Sequence, residues 1–111
     1  YETTFRVVTE AIDRYPRLRG IYMANLSVSG CAAAIEQAGK KGAIRLICHD
    51  LNESVRQLLL RGSIDFTIPQ NLRQQGYGPL ILLRDILRRK AASDAARFNR
   101  QIDIVCSDNL P

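Results

Sequence analysis

Asn25, His49, Asp50 and Gln70 each close an apolar run, in "IYMAN", "IRLICHD" and "SIDFTIPQ". An amide side chain offers N–H donors and an oxygen acceptor, and an ionised carboxylate offers acceptors only. Imidazole adds a ring with one donor and one acceptor nitrogen. That mixture suits a small neutral ligand rich in hydroxyls. Asn and Asp also follow strands because they make turns and cap the next helix, so each residue taken alone has a local explanation. His49 reads as a ligand-facing ring, a base, or a satisfied residue at a sheet end, and the last is favoured.

Catalytic chemistry finds less support in the residues. There is no G-x-S-x-G elbow, and no glycine-rich loop follows an apolar run. "GYG" at 76–78 is too short to cradle a pyrophosphate. A carboxylate pair for acid/base work needs a second acid beside Asp50, and Glu53 and Asp65 are the near candidates in sequence. Cys31, Cys48 and Cys106 are far apart, with no C-x-x-C and one His in the chain, which argues against a zinc site or a disulfide framework. The expectation is no catalytic residue, no metal and no cofactor.

The elements that would bring these side chains together follow from periodicity. Residues 4–15 place Phe5, Val8, Ala11, Ile12 and Tyr15 on one helical face, and Pro16 stops that helix. "IYMANLS" reads as a short strand. "SVSGCAAAIEQAGKKG" is a helix with Ser27 or Ser29 as a cap and Gly39 or Gly42 as terminators. "AIRLICHD" is a second strand. Asn52 then caps a helix that carries Glu53 in its first turn and ends at Gly62. In "SIDFTIPQN" Ile64, Phe66 and Ile68 alternate with Ser63, Asp65 and Thr67, giving a third strand that Pro69 ends at a sheet edge. A fourth helix runs through Leu80, Leu83, Ile86 and Leu87, with its start at Pro79 if Gly76 and Pro79 delay it. "AASDAARFNR" reads as a surface loop or broken turn, and "QIDIVCSDNLP" as a last strand. Strands that alternate with helices imply an α/β fold with a parallel, three-layer, Rossmann-like sheet, whose carboxyl ends line one crevice.

The 111 residues are 46% hydrophobic, enough for one core. Net charge is +5, but the arginines are scattered and only Arg88, Arg89 and Lys90 form a run, so the charge describes a solvated surface better than a nucleic-acid footprint. No apolar run is long enough to span a membrane, and "YETTFRVVTE" lacks the pattern of a secretion signal. Together with three unpaired cysteines this gives the expectation of a cytoplasmic protein.

These segments resemble, in order, the effector-sensing domain of the lactose-repressor and galactose-repressor (LacI/GalR) transcription factors, which has the type I periplasmic-binding-protein-like fold. "IYMANLSVSGCAAAIEQAGKKG" is similar to the family's strand ending in Ala-Asn-Asp and the helix after it. "IRLICHD" is similar to the strand ending in an aromatic residue and Asp, "SIDFTIPQNLRQQGY" to the segment ending in Thr-x-x-Gln-Asp, and "QIDIVCSDNL" to the last strand. Leu26, His49 and Asn71 depart from the family's usual Asp, aromatic and Asp. The resemblance implies that residues 1–111 are the C-terminal part of a ligand-binding sensor domain, mostly its second lobe, with about 72–90 as a first-lobe helix and 101–110 as the final strand. It implies Asn25, Asp50, Gln70 and His49 at a cleft for a sugar-like effector, operator DNA bound through a separate N-terminal domain, and a homodimer. A sugar-binding protein of an ABC transporter is the nearest alternative with the same fold, and a small α/β enzyme a more distant one.

Overall fold

A computed structural model describes residues 1–88 and 102–111. The described chain forms two compact units, Tyr1–Pro69 with Asp103–Pro111, and Gln70–Ile102. In the first, three helices alternate with three strands: α1 (Glu2–Arg14), β1 (Gly20–Met23), α2 (Val28–Gln37), β2 (Arg45–His49), α3 (Glu53–Leu60) and β3 (Phe66–Ile68). The strands lie in the order β1-β2-β3, all parallel, with Met23 beside Cys48 and Cys48 beside Thr67. This is the expected α/β arrangement, and it puts the ends of all three strands on one rim.

In a parallel sheet, residues in register point to the same face. Ile21, Met23, Leu46, Cys48 and Thr67 therefore share one face, and all but Ile21 and Thr67 belong to a core with Val8 and Ile12 of α1, Cys31 and Ile35 of α2, and Val55 and Leu59 of α3. Leu46 and Leu59 are sealed from solvent, worth about 2–3 kcal/mol each as transferred side chains. Tyr22, Ile47, His49, Phe66 and Ile68 share the other face, which is half-covered or exposed.

The polar set of the β3 alternation turns inward. Thr67 is fully buried, whereas Phe66 and Ile68 are half-covered. Sequence alternation gives the period and not the side, and the register with Cys48 decides the side.

The small residues of α2 are explained inside the chain. Cys31, Ala32 and Ala34 are buried, and a Cβ added at Gly30 would sit 2.7 Å from the Tyr1 carbonyl oxygen, so α1 approaches α2 too closely for any larger residue. Gly39 and Gly62 close α2 and α3 at positive φ, as the termination signals implied. Asn52 caps α3, its Oδ1 accepting the Val55 N–H at 2.9 Å.

The closing segment departs from the expected final strand over 101–110. Among its described residues only Val105 pairs, in an antiparallel bridge to Thr67, and a 3-10 turn follows at Ser107–Asn109. Asn109 explains the early stop. Its side chain accepts the Cys106 N–H at 2.7 Å and donates to the Ile104 carbonyl at 2.9 Å, which turns the backbone away from the sheet.

In the second unit α4 runs Leu72–Leu87 with Pro79 inside it. It begins a full two turns before Pro79, because the proline forgoes a single backbone bond while the Gln75 N–H already reaches the Asn71 carbonyl at 2.8 Å. The expected loop at 91–100 and the end of the expected first-lobe helix at 89–90 lie outside the described residues.

Candidate functional site

The rim at the carboxyl end of the sheet is built by β1 and β2. Beyond β1, the exposed Asn25 makes an Asx turn, its Oδ1 accepting the Ser27 N–H at 3.0 Å. That bond uses the side-chain oxygen and leaves the amide N–H groups of this exposed residue outside it. The local reading of Asn25 is thus correct for its oxygen.

Beyond β2, Asp50 adopts φ 68°, the one non-glycine residue at positive φ among the described residues. Left-handed backbone is disfavoured for residues with a Cβ, and Asp tolerates it better than most. The Asp50 N–H donates to the Ile68 carbonyl at 3.1 Å, and the Asp50 carbonyl accepts the Thr67 hydroxyl at 2.5 Å. Its half-buried carboxylate has no hydrogen bond or ion pair among the described residues. A carboxyl group left without internal partners keeps its acceptor capacity unspent.

His49, the last residue of β2, meets Tyr22 of β1: the rings stand edge to face with centroids 5.4 Å apart, and the Tyr22 hydroxyl contacts Nε2. Its Nδ1 is buried with no hydrogen-bond partner among the described residues. His49 is therefore partly satisfied within the protein, and it lies on the half-covered face of the sheet beside Tyr22. Gln70 lies just past β3 and is exposed, but it opens the second compact unit and is described there alone. The structure thus brings Asn25, His49 and Asp50 to the ends of neighbouring strands.

The Asp50–Asp65 pair considered for catalysis does not form. Asp65 stands beside the amino end of β2, where its N–H donates to the Leu46 carbonyl, so it is separated from Asp50 by roughly 13 Å of strand. No cluster of three metal-ligating side chains occurs among the described residues. No helix there is long and apolar enough to cross a membrane.

Two residues that shape the rim were missed in the sequence. Tyr22 is an aromatic with a polar tip one position before Met23, the last residue of β1, and its diagonal reach to His49 needs the β1–β2 register. Thr67 stands opposite Phe66 and Ile68 in the alternation, and the pattern alone does not say which side faces the core.

Comparison with known proteins decides the family. The profile of the periplasmic binding protein domain matches residues 1–103. The chain belongs to that family. It is 31% identical over 80 residues to the D-allose-binding periplasmic protein of Escherichia coli K12, covering 71% of this chain and 26% of that protein. In fold it is similar to a sugar-binding protein of a sugar ABC transporter from Bacillus halodurans (TM-score 0.79, 23% identity, 96% of this chain and 40% of that one). It is also similar to an ABC transporter solute-binding protein from Agrobacterium vitis with bound D-fucose (TM-score 0.74, 24% identity, 96% and 37%). The chain thus spans between about a quarter and two fifths of the length of these relatives.

These relationships correct part of the resemblance. The type I periplasmic-binding-protein-like fold stands, whereas the assignment to LacI/GalR regulators is not supported, and neither operator DNA nor a homodimer is shown. The cytoplasmic location is overturned, because the curated relative is a periplasmic protein. The cysteine signal misled for a physical reason. Cys31 and Cys48 are fully buried, and burial pushes the Cys31 thiol up to about 11, with Cys48 nearby adding to the rise. Thiols so protected from ionisation and solvent resist oxidation, so they place no demand on the redox state of the compartment.

Proposed function

We propose that this chain supplies one wall of a sugar-binding site in a periplasmic binding protein of an ABC transporter. The observation that carries the reading is the pair of unspent groups at one rim: the Asn25 amide donors and the Asp50 carboxylate. A sugar hydroxyl both donates and accepts, so a donor amide beside an acceptor carboxylate matches adjacent hydroxyls on a ring. Gln70 and His49 complete the proposed set, Gln70 as a second amide and His49 as the ring that braces the end of β2. The relatives' own ligands, D-allose and D-fucose, support a hexose or deoxyhexose as the class. The lobe assignment is part of the proposal: residues 1–111 are mostly a second lobe, and the helix at about 72–90 belongs to a first.

Titration with D-allose and D-fucose, followed through backbone amide resonances, tests the site. The expected result is shifts centred on Asn25 and Asp50 that disappear in Asp50→Ala and weaken in Asn25→Ala. Shifts that persist unchanged in both variants would remove the site. Cell fractionation separates the transporter reading from a regulator: recovery in the periplasmic fraction supports it, and recovery with DNA overturns it.

A further inference from the structure

We propose that Thr67 is a positioning residue that sets the direction of the Asp50 carboxylate and ties it to the segment returning from the second unit. The proposal rests on the sugar-site reading for what Asp50 contacts, and on separate geometry for how Asp50 is held.

Thr67 is the one fully buried polar residue among the described residues with no exposure at all, in the middle of β3. Its hydroxyl lies 2.5 Å from the Asp50 carbonyl oxygen and 3.2 Å from that of Cys48. A hydroxyl carries one proton, so it donates fully to one carbonyl at a time, and the shorter contact is to Asp50. The next residue, Ile68, accepts the Asp50 N–H. Consecutive residues of β3 therefore grip the Asp50 peptide at both ends. Asp50 leaves the strand in left-handed backbone, a conformation that persists where its surroundings over-determine it. Because the backbone angles fix where the Cβ points, the grip on this peptide aims the carboxylate.

The main chain of Thr67 has a second task. Its N–H donates to the Val105 carbonyl at 2.8 Å and its carbonyl accepts the Val105 N–H at 2.9 Å. The chain leaves the first unit after Pro69 and re-enters it at Asp103, so this bridge pairs the outgoing and returning segments two residues inside each boundary. A displacement of the returning segment is transmitted to Thr67, and through its hydroxyl to Asp50.

The test uses Thr67→Val, which keeps the shape and removes the hydroxyl, and Thr67→Ser, which keeps the hydroxyl. The first readout needs no ligand: the Asp50 carbonyl carbon resonance and Asp50 amide exchange. Thr67→Val is expected to shift the first and speed the second by roughly tenfold, while Thr67→Ser stays near the parent. The second readout is the apparent Kd for D-allose as probe. Thr67→Val is expected to weaken it roughly fivefold, with no further loss when added to Asp50→Ala. A purely structural role would leave the Asp50 dependence absent and the two losses additive. An Asp50 carbonyl resonance unchanged in Thr67→Val overturns the positioning role. D-allose shifts absent from Asn25 and Asp50 in the parent chain overturn the sugar reading, a failure visible separately from the first.

Discussion

Two aspartates sit at opposite ends of one sheet and do opposite things. At the amino end, Asp65 is consumed by structure. Its Oδ1 pairs with Arg45 Nη1 at 2.7 Å and its Oδ2 accepts the Leu46 N–H at 2.8 Å, which fixes the start of β2 against the approach to β3. At the carboxyl end, Asp50 has its backbone held on both sides while its carboxylate stays without a partner among the described residues. Polar groups inside a fold are normally satisfied by the fold, so an acid whose oxygens have been left open is what singles out the carboxyl end of the sheet as the proposed sugar site. The difference lies in the surroundings and not in the residue type, since both are Asp next to a strand.

The contrast can be broken by exchanging the consequences of removing each acid. The largest expected effect is on binding: Asp50→Ala lowers affinity for D-allose roughly a hundredfold by removing the open carboxylate, with a smaller loss of about 1 kcal/mol in urea unfolding because alanine tolerates left-handed backbone less well than Asp. Asp65→Ala is expected to do the reverse. It strips the Leu46 N–H of its acceptor and costs about 2 kcal/mol of stability by the same denaturation measurement, with sugar-induced resonance shifts retained. Equal effects of the two substitutions on stability would erase the distinction. Asp50→Gly sharpens it further: relief of the left-handed backbone raises stability by up to about 1 kcal/mol while binding is lost. The smallest effect belongs to Arg45→Ala, a few tenths of a kcal/mol that shrink in high salt, because the guanidinium is 67% exposed and solvent screens the pair.

The alternation of strand and helix, the parallel order and the caps were legible because each depends on neighbours a few residues away. Asn52 is the clearest case: cap type, first-turn acid and helix length agree in sequence, and its oxygen meets the Val55 N–H as expected. The placement of Asn25, His49 and Asp50 at the carboxyl ends of strands was legible by the same logic, since a run that ends in polar residues names its own carboxyl end. What stayed hidden depends on register. The inward turn of Thr67, the meeting of Tyr22 with His49, and the distance between Asp50 and Asp65 are set by which strand residue stands beside which, and a single sequence does not state that pairing. The missing last strand has a more local origin. "QIDIV" has the strand pattern, but Asn109 captures the backbone at Cys106 and Ile104 before a ladder can extend beyond Val105. The compartment was misread because counting cysteines ignores how deeply they lie.

That depth makes the protein convenient to watch. With Cys31 and Cys48 sealed in the interior, Cys106 is the thiol within reach of a maleimide dye, and it stands directly after Val105. A fluorophore attached there, with no cysteine engineered in or out, sits one residue from the bridge to β3 and reports on the returning segment as ligand is added.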